Sequence, residues 1–284
     1  MIKFMREVSQ VMEDVYGMNI SMYDESFLLK LIEQKAITAG IKGISEYITY
    51  LSNNAAEAKS LYCSLNINYS EFFRNRLAFA LLEQWILPKL IMDKPTGSEL
   101  RIWSAGCAYG QEAYSLAMLL DKLKDYQGHK VSYRIIATDI SHSSLTLASK
   151  GEYQEELIQN MRIKDLKEFF VDDNKTYKIV PRLKQHITFA YYDLLDKFTS
   201  NPQESIFGNF DLIFCSNLLY YYQPEHQQFI LQKIIRALSA NGYLITGETE
   251  KHTIANISEL HMVAPPASVY QKIGVEHSDE TKKY

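Results

Sequence analysis

The sequence predicts an α/β fold, in which a parallel sheet covered by helices follows a small all-helical domain. Residues 1 to about 92 carry apolar side chains at helical spacing, and a polar segment rich in turn formers follows at 93–98. From residue 100 onward, short strand-like runs alternate with helical runs, as they do in proteins whose parallel strands are joined by crossover helices. We therefore expect a helical domain over 1–92 and an α/β domain over 93–284, with a helix and hairpin insertion at about 152–186.

The helical prediction for the first domain depends on the spacing of its apolar residues. Phe27–Ile32 and Tyr47–Leu51 each place apolar side chains on one helical face, and two glycines between these segments indicate a turn. A third helical stretch includes Phe79–Ile86, and we expect it to end at Pro88 because proline disrupts a helix interior.

Five short apolar runs are the predicted strands of the α/β domain: Leu100–Trp103, Tyr133–Ala137, Ile187–Tyr191, Phe210–Cys215 and Gly242–Gly247. A helix over Gln227–Leu238 separates the last two runs. In open parallel sheets, ligands bind outside the carboxyl ends of the strands. The residues that follow each run are therefore the candidate site.

Composition excludes several classes of protein. With 46% hydrophobic and 12% aromatic residues among 284, the chain can form a folded core. The 30 basic and 34 acidic residues give a net charge of -4, which disfavours nucleic acid as a partner and a polybasic membrane surface. The three cysteines are scattered, so we expect small core residues and no metal site. No apolar run approaches the roughly 20 residues that cross a bilayer, and no signal peptide is recognisable, so we expect a soluble cytoplasmic protein.

The first predicted strand is followed by a loop of small residues, Ser104–Glu112, that includes Gly106. Small residues let a cofactor approach the backbone, and the next helix offers its N-terminal amides. The loop is not the G-x-G-x-x-G of dinucleotide sites, and no P-loop lysine follows the glycines, which disfavours a nucleoside triphosphate. The alternative is a tight strand-to-helix turn without a ligand.

Asp139 closes the second predicted strand. A carboxylate at this place can accept the hydroxyl protons of an adenosine ribose. The alternative is that Asp139 caps the helix that follows. Taken with the glycine loop, the acid favours a cofactor that contains adenosine and needs no phosphate cradle, and S-adenosylmethionine meets these requirements.

Six segments carry a more specific resemblance: Asn68–Arg74, Ile102–Cys107, Gly110–Ala117, Ala137–Ile140, Phe210–Asn217 and Gly242–Glu250. In this order they resemble the chemotaxis receptor methyltransferase family, CheR, and the likeness spans nearly the whole chain. The resemblance implies a Rossmann-like class I S-adenosylmethionine-dependent methyltransferase domain preceded by a small helical domain. It also implies transfer of a methyl group to glutamate carboxylates of a chemoreceptor-like protein, which leaves S-adenosylhomocysteine.

The resemblance implies roles for individual residues. Glu112 is expected to hold the amino group of the cofactor and Asp139 its ribose, while Asp193 and Leu194 are expected beside the adenine. Arg74 and Tyr221 are the expected catalytic residues, although a solvated charge and an ordinary core aromatic are the alternatives. The other cofactor-binding positions carried over from the family are Asn68, Ser70, Gly106, Ser216 and Asn217, and Arg74 is expected to bind the cofactor as well.

The chain departs from the family pattern at several places, and two of these, Ser216 and the helix at Phe27–Lys35, leave the acceptor open. Ser216 stands where the family commonly has an arginine, and Gln111 replaces a usual glutamate. The helix at Phe27–Lys35, which is typically arginine-rich in the family, has two lysines and no arginine. Besides receptor glutamates, the acceptor can be a small-molecule or peptide carboxylate, or the chain can bind the cofactor without turnover. The sequence does not indicate an oligomeric state.

Overall fold

The computed structural model describes residues 2–95, 97–205 and 208–274. It divides into two compact units. One consists of the residues up to Asn68 together with Leu218–Phe229, and the other of Tyr69–Asn217 together with the residues from Ile230 onward. The helices between residues 76 and 93 therefore lie in the second unit, whereas the sequence places a domain boundary near residue 92. The predicted domain boundary near residue 92 stays a prediction.

Four helices build the first unit: α1 (Ile2–Tyr16), α2 (Glu25–Thr38), α3 (Ile44–Ser52) and α4 (Ala55–Leu65). Their apolar faces meet in a core of fully buried side chains such as Met12 and Ile32. Two of the helices begin at a side-chain cap. The Asp24 carboxylate accepts from backbone N–H groups at 2.9 and 3.0 Å, and the Asn54 side chain accepts one at 3.0 Å. The two helices that the apolar spacing predicts in this region are confirmed.

The strands of the second unit are, in chain order, β1 (Glu99–Ala105), β2 (Asp125–Tyr126), β3 (His129–Lys130), β4 (Ser132–Asp139), β5 (Glu152–Gln154), β6 (Phe170–Asp173), β7 (Thr176–Ile179), β8 (Ile187–Tyr191), β9 (Phe210–Cys215), β10 (Leu238–Thr246), β11 (Leu260–Met262) and β12 (Val269–Lys272). Seven form one sheet in the order β11-β12-β10-β9-β1-β4-β8. All five predicted strands are confirmed, and they pair in parallel. The antiparallel β12 and β11 extend the sheet beyond the prediction.

The remaining α-helices are α5 (Arg76–Leu81), α6 (Leu87–Asp93), α7 (Gln111–Lys122), α8 (His142–Lys150), α9 (Ile163–Phe169), α10 (Pro181–Lys184), α11 (Pro224–Ala237) and α12 (Lys251–Ile254). α7 is buried along nearly its whole length, so it forms the centre of the core that lies on one face of the sheet. None of the helices in the described ranges is long and apolar enough to cross a membrane.

The helical stretch before β1 does not end at Pro88, contrary to the prediction. α5 is followed by a π-helical turn over Leu82–Ile86, and α6 continues to Asp93. Pro88 lies in the first turn of α6, where a missing backbone N–H is tolerated. The π turn is closed by the N–H of Leu87, which donates to the carbonyl of Leu82, five residues earlier.

The residues of the predicted insertion form a small antiparallel sheet in the order β5-β7-β6, together with α9 and α10. Two of its aromatic rings, Tyr153 and Phe170, pack edge-on against Phe72 at 4.9 and 5.5 Å between ring centroids. This contact attaches the insertion to the segment that precedes α5.

Candidate active site

The carboxyl ends of the parallel strands bring the predicted site residues to one edge of the sheet. β1 leads to Gly106, β4 ends at Asp139, and the segment after β8 contains Asp193. β9 leads to Ser216, and β10 leads to a short 3₁₀ turn that ends at Glu250. Because parallel strands end at the same edge, residues separated by more than a hundred positions become neighbours.

The loop after β1 folds over the end of β4. The N–H groups of Gly106 and Cys107 both donate to the carbonyl of Thr138, at 2.8 and 2.9 Å. Gly106 has a φ of 78° and Ala108 a φ of 47°, both in the left-handed region that favours glycine. These two left-handed residues direct the Ala108 N–H toward Asp139, so the carboxylate is hydrogen-bonded to the loop.

The Asp139 carboxylate joins the two strand ends. Its Oδ2 accepts from the Ala108 N–H and its Oδ1 from the Ser141 N–H, each at 2.9 Å. The side chain that caps α8 is Ser141, whose hydroxyl oxygen accepts from the Ser144 N–H. Burial raises the pKa of Asp139, and the backbone hydrogen bonds oppose that shift. Since an ionised carboxylate offers about four acceptor sites, acceptor capacity remains after these contacts.

Glu112 is the second residue of α7, which begins directly after the left-handed Gly110. Its Oε1 accepts from the Ser104 hydroxyl at 2.6 Å. Burial raises the pKa of Glu112 to about 8, the Ser104 hydrogen bond opposes the shift, and the nearby Glu250 carboxylate adds to it. The residue nonetheless keeps some accessible surface, as a carboxyl that meets a ligand must. The acid is therefore largely protonated at neutral pH until a cation adjoins it.

The glycine before Glu112 has a steric reason. A Cβ at Gly110 would lie 3.0 Å from both the Ala148 Cβ and the Phe189 ring, and the backbone φ is 84°. A larger residue would push the start of α7, and with it Glu112, away from the strand ends.

Gln111 connects the start of α7 to the segment before α5. Its side chain is fully buried, and its Nε2 donates to the Ser70 carbonyl at 3.2 Å. Its Oε1 is buried without a hydrogen-bond partner. An ionised glutamate, usual at this place in the family, has no proton to donate to that carbonyl. Sequence analysis noted this substitution but did not predict the contact.

Ser70 and Arg74 follow in the same segment. The contact of Ser70 is made by its backbone, whose carbonyl accepts the hydrogen bond from Gln111. Arg74 is exposed, its Nη1 donates to the Tyr69 carbonyl at 3.3 Å, and its guanidinium lies 4.9 Å from the centre of the Tyr69 ring. It is close enough to Glu112 to lower the pKa of that acid. Arg74 is thus a cation held by its own segment at the edge of the site.

Ser216 and Asn217 lie at the end of β9 and are held by Glu250. The Ser216 hydroxyl donates to the Asn217 Oδ1 at 3.2 Å, and Asn217 has a left-handed φ of 61°. The Glu250 Oε2 accepts from the N–H groups of Asn217 at 3.1 Å and Gly247 at 2.6 Å. The sequence does not predict Glu250 as a site residue. Its signal is an acid shortly after the last predicted strand, at the same edge as the other strand ends.

The segment after β8 contributes Asp193 and Leu194. The Asp193 Oδ1 accepts from the Leu195 N–H at 2.8 Å, which fixes the turn, and the Leu194 side chain is buried. Both residues thus lie beyond the β8 strand end in the same unit as Asp139, where the sequence predicts an adenine contact.

Asn68 and Tyr221 belong to the helical unit. The Tyr221 ring packs against Phe27 at 4.9 Å, and its hydroxyl accepts from Tyr220 at 2.7 Å. The Tyr221 carbonyl accepts from the Asp24 N–H at 2.8 Å. The roles of Asn68 and Tyr221 stay predictions.

The cysteines fit the expectation only in part. Cys107 and Cys215 are buried in the core, and burial raises the pKa of both thiols. Cys63 is exposed on α4, so the prediction that all three are core residues is wrong for Cys63. Its place on the polar face of a surface helix explains the difference.

Residues 68–265 match a family model described as "CheR methyltransferase, SAM binding domain". The chain belongs to the CheR methyltransferase family. The match covers the whole segment from the Asn68–Arg74 motif through the last parallel strand, so the strand-end site lies inside it. This CheR-family protein is an S-adenosylmethionine-dependent methyltransferase with a Rossmann-like sheet.

Individual relatives agree over most of their length. A chemotaxis protein methyltransferase of Listeria monocytogenes is 31% identical over 86% of this chain and 88% of its own. One of Borreliella burgdorferi is 32% identical over 94% of both chains. Among solved structures, the N-methyltransferase NodS of Bradyrhizobium japonicum in complex with S-adenosylhomocysteine is similar at 16% identity and a TM-score of 0.39, covering 69% of this chain and 86% of that one.

Proposed function

We propose that this protein transfers the methyl group of S-adenosylmethionine to glutamate side chains of a chemotaxis receptor and forms methyl esters. One arrangement carries the proposal: two enclosed acids, Glu112 and Asp139, stand at the strand ends, and the exposed cation Arg74 lies near Glu112. The acids suit a cationic, ribose-containing cofactor, and the arginine suits an anionic acceptor. The names of the relatives, chemotaxis protein methyltransferases, support a receptor as that acceptor.

The chain's own acids fit the cofactor. An enclosed carboxyl whose pKa is about 8 lacks a countercharge, and the ammonium of S-adenosylmethionine is the countercharge that Glu112 would accept. The Asp139 carboxylate accepts the N–H groups of Ala108 and Ser141, and the Ile140 N–H also lowers its pKa, so the acceptor capacity that is left would serve the ribose hydroxyls. Gly106 permits close approach of the cofactor to the backbone, and Leu194 offers an apolar contact to the adenine beside Asp193. When bound, the cofactor supplies a methyl group on a positively charged sulfur.

The acceptor side needs little chemistry from the protein. A glutamate side chain, with a reference pKa near ~4.3, is ionised at neutral pH, so no general base is required. The protein has to orient this carboxylate and remove its water, which are proximity and desolvation effects. Arg74 donates one N–H to the Tyr69 carbonyl, and its other N–H donors can hold a carboxylate by charge-assisted hydrogen bonds.

Ser216 does not replace the missing arginine. Its hydroxyl proton is already donated to the Asn217 side chain, so it has no second proton for a carboxylate. Of Arg74 and Ser216, we therefore assign only Arg74 to the orientation of the acceptor. The proposal also places the protein in the cytoplasm, where the cytoplasmic domain of a receptor is available.

The proposal is tested with the full-length protein, S-adenosylmethionine labelled in its methyl group, and cytoplasmic fragments of chemoreceptors. The matched control is the same fragment with glutamine at the methylated glutamates. We expect label that is released by base from the glutamate form and none on the glutamine form. Cofactor binding without base-labile label on any receptor fragment would contradict the proposal, as would turnover of a small carboxylic acid in preference to receptors.

A further inference from the structure

A cavity of about 280 Å³ opens among the helices of the sheet-containing unit. Its walls include Leu119 and Lys122 from the C-terminal half of α7. Lys122 is ten residues beyond Glu112 on the same helix, which corresponds to about 15 Å along the axis. The cavity thus lies toward the far end of α7 and adjoins the strand-end site through Phe73, the residue before Arg74, and its volume suits a small ligand rather than a nucleotide cofactor.

The π turn in the helix before β1 forms part of the cavity wall. It places the half-buried Glu83 there, and the ordinary helical turn of α5 before it contributes Arg76 and Ala80. π turns are rare, and they occur frequently at functional sites because the extra residue redirects side chains. Here the redirected position carries a charge into a pocket.

The charges around the cavity are not balanced. The Lys122 ammonium pairs with the buried Asp165 carboxylate at 2.8 Å, and the exposed Arg162 makes a longer contact with Glu83 at 3.6 Å. Arg76 also lines the cavity, and its exposed side chain makes no ion pair or hydrogen bond within the residues that the structure describes. Three cations against two acids leave one positive charge, at Arg76, for an anionic ligand.

Part of the cavity lining is aromatic. Phe73 and Phe79 meet edge to face at 5.2 Å between ring centroids, and both line the cavity beside Leu119. A flat apolar group packs well against such a pair. The ligand that fits both parts of the lining thus carries one negative charge and one ring.

We propose that this cavity is a second ligand site, which binds a small monocarboxylate with a flat apolar body. Its carboxylate pairs with the Arg76 guanidinium, and its ring lies against Phe73 and Phe79. This site is independent of the methyl acceptor, so it stands or falls separately from the proposed function. Arylacetates have the required size, charge and shape, and they serve as probes.

The experiment uses the full-length protein saturated with S-adenosylhomocysteine, so that the strand-end site is filled. Phenylacetate and indole-3-acetate are titrated by calorimetry, with phenylacetamide as the uncharged counterpart. We expect saturable binding of at least one acid and at least about tenfold weaker binding of the amide, because a charge-assisted pair is lost. Hydrogen exchange should slow around residues 73–83 when the acid is bound.

Three variants locate the site. Arg76→Ala should weaken acid binding by about tenfold or more, and Ala80→Phe should abolish it by filling the pocket from an exposed helix position. Arg134→Ala, which removes an exposed arginine of β4 outside the cavity, should leave it unchanged. S-adenosylhomocysteine affinity checks that each variant is folded. Equal binding by the wild type and Arg76→Ala, equal affinity for acid and amide, or no saturable binding below about 10 mM would overturn the proposal.

Discussion

The two halves of the candidate site are held in different ways. At the start of α7 and the end of β4, Glu112 and Asp139 are enclosed and bound by neighbours at 2.6 to 2.9 Å. In the segment before α5, Arg74 is exposed, and its side chain is held by Tyr69 of its own segment. Truncation of an enclosed acid removes hydrogen bonds to the fold around it, whereas truncation of the exposed arginine does not. The cofactor half is thus the rigid one, and the acceptor half is where specificity can change.

The largest effect should come from the enclosed acid of the rigid half. Glu112→Gln keeps the shape and can still contact Ser104, but it removes the charge that we assign to the cofactor ammonium. We expect S-adenosylhomocysteine to bind about 100-fold more weakly, measured by titration calorimetry. Glu156→Gln, at an exposed position of the same unit, is the matched control and should bind as the wild type does. Equal affinities for both variants would remove Glu112 from the cofactor site.

The raised pKa of Glu112 predicts a pH dependence of binding. The ligand-free acid has a pKa of about 8, and the ammonium pairs only with its ionised form. Below that value, each unit decrease in pH should therefore weaken S-adenosylhomocysteine binding by up to about tenfold. Glu112→Gln should flatten this profile. A wild-type affinity that is independent of pH between about 6 and 8 would contradict the assignment.

The same shift has an opposite consequence for stability. Folding keeps a proton on Glu112 that the unfolded chain releases above the ordinary value of 4.5. The free energy of unfolding of the ligand-free protein should then decrease as pH rises from 4.5 towards 8, and this slope should be smaller in Glu112→Gln. Denaturant titrations at several pH values provide the measurement. Asp139, whose pKa is also raised, adds to the slope in both proteins.

Sequence patterns predict the strands of the rigid half well. The five parallel strands are short apolar runs, and Asp139 closes the second of them, so its position singles it out, whereas the expected role of Glu112 comes from the family resemblance. Glu250 is not predicted, because it lies 33 positions from Asn217 and is brought to it by the pairing of β9 with β10. The π turn is not predicted either, because a single shifted backbone hydrogen bond leaves the apolar spacing nearly unchanged. It also explains why Pro88 does not end the helix.

Asp139→Ala tests the second acid of the rigid half, with a smaller expected effect. The change removes the acceptor that we assign to the ribose hydroxyls and frees the Ala108 N–H. We expect cofactor affinity to fall by about 2 kcal/mol, roughly 30-fold, and the free energy of unfolding to fall by about 1 kcal/mol.

Asp172→Ala, at an exposed position of β6, is the control for a general loss of acidic charge. A loss of stability in Asp139→Ala without any loss of affinity would show that the acid only ties the Gly106 loop to β4.

Arg74→Ala tests the acceptor half. Because the arginine is exposed and makes its contacts within its own segment, the fold should tolerate the change. We expect kcat/KM for receptor methylation to fall by about tenfold, while S-adenosylhomocysteine affinity changes by less than about twofold. Steady-state kinetics and calorimetry separate the two. Arg134→Ala serves as the control, and an equal loss of cofactor affinity in Arg74→Ala would place the arginine in the rigid half instead.

Ser216→Arg should have the smallest effect, and it is the sharpest test of specificity. Ser216 lies half-buried at the end of β9 and gives its proton to Asn217, so an arginine there gains a charge for the acceptor but loses that hydrogen bond. We expect receptor methylation to rise by about threefold through a lower KM, with unchanged cofactor affinity, because a second guanidinium can share the acceptor carboxylate. Ser216→Gln, which has comparable length without the charge, is the control. Since Arg74 already supplies one cation, a gain in Ser216→Arg that persists in Arg74→Ala means that the two positions act independently. A gain that disappears means that both hold the same carboxylate, and a decrease in Ser216→Arg alone means that the acceptor of this chain does not carry its charge near β9.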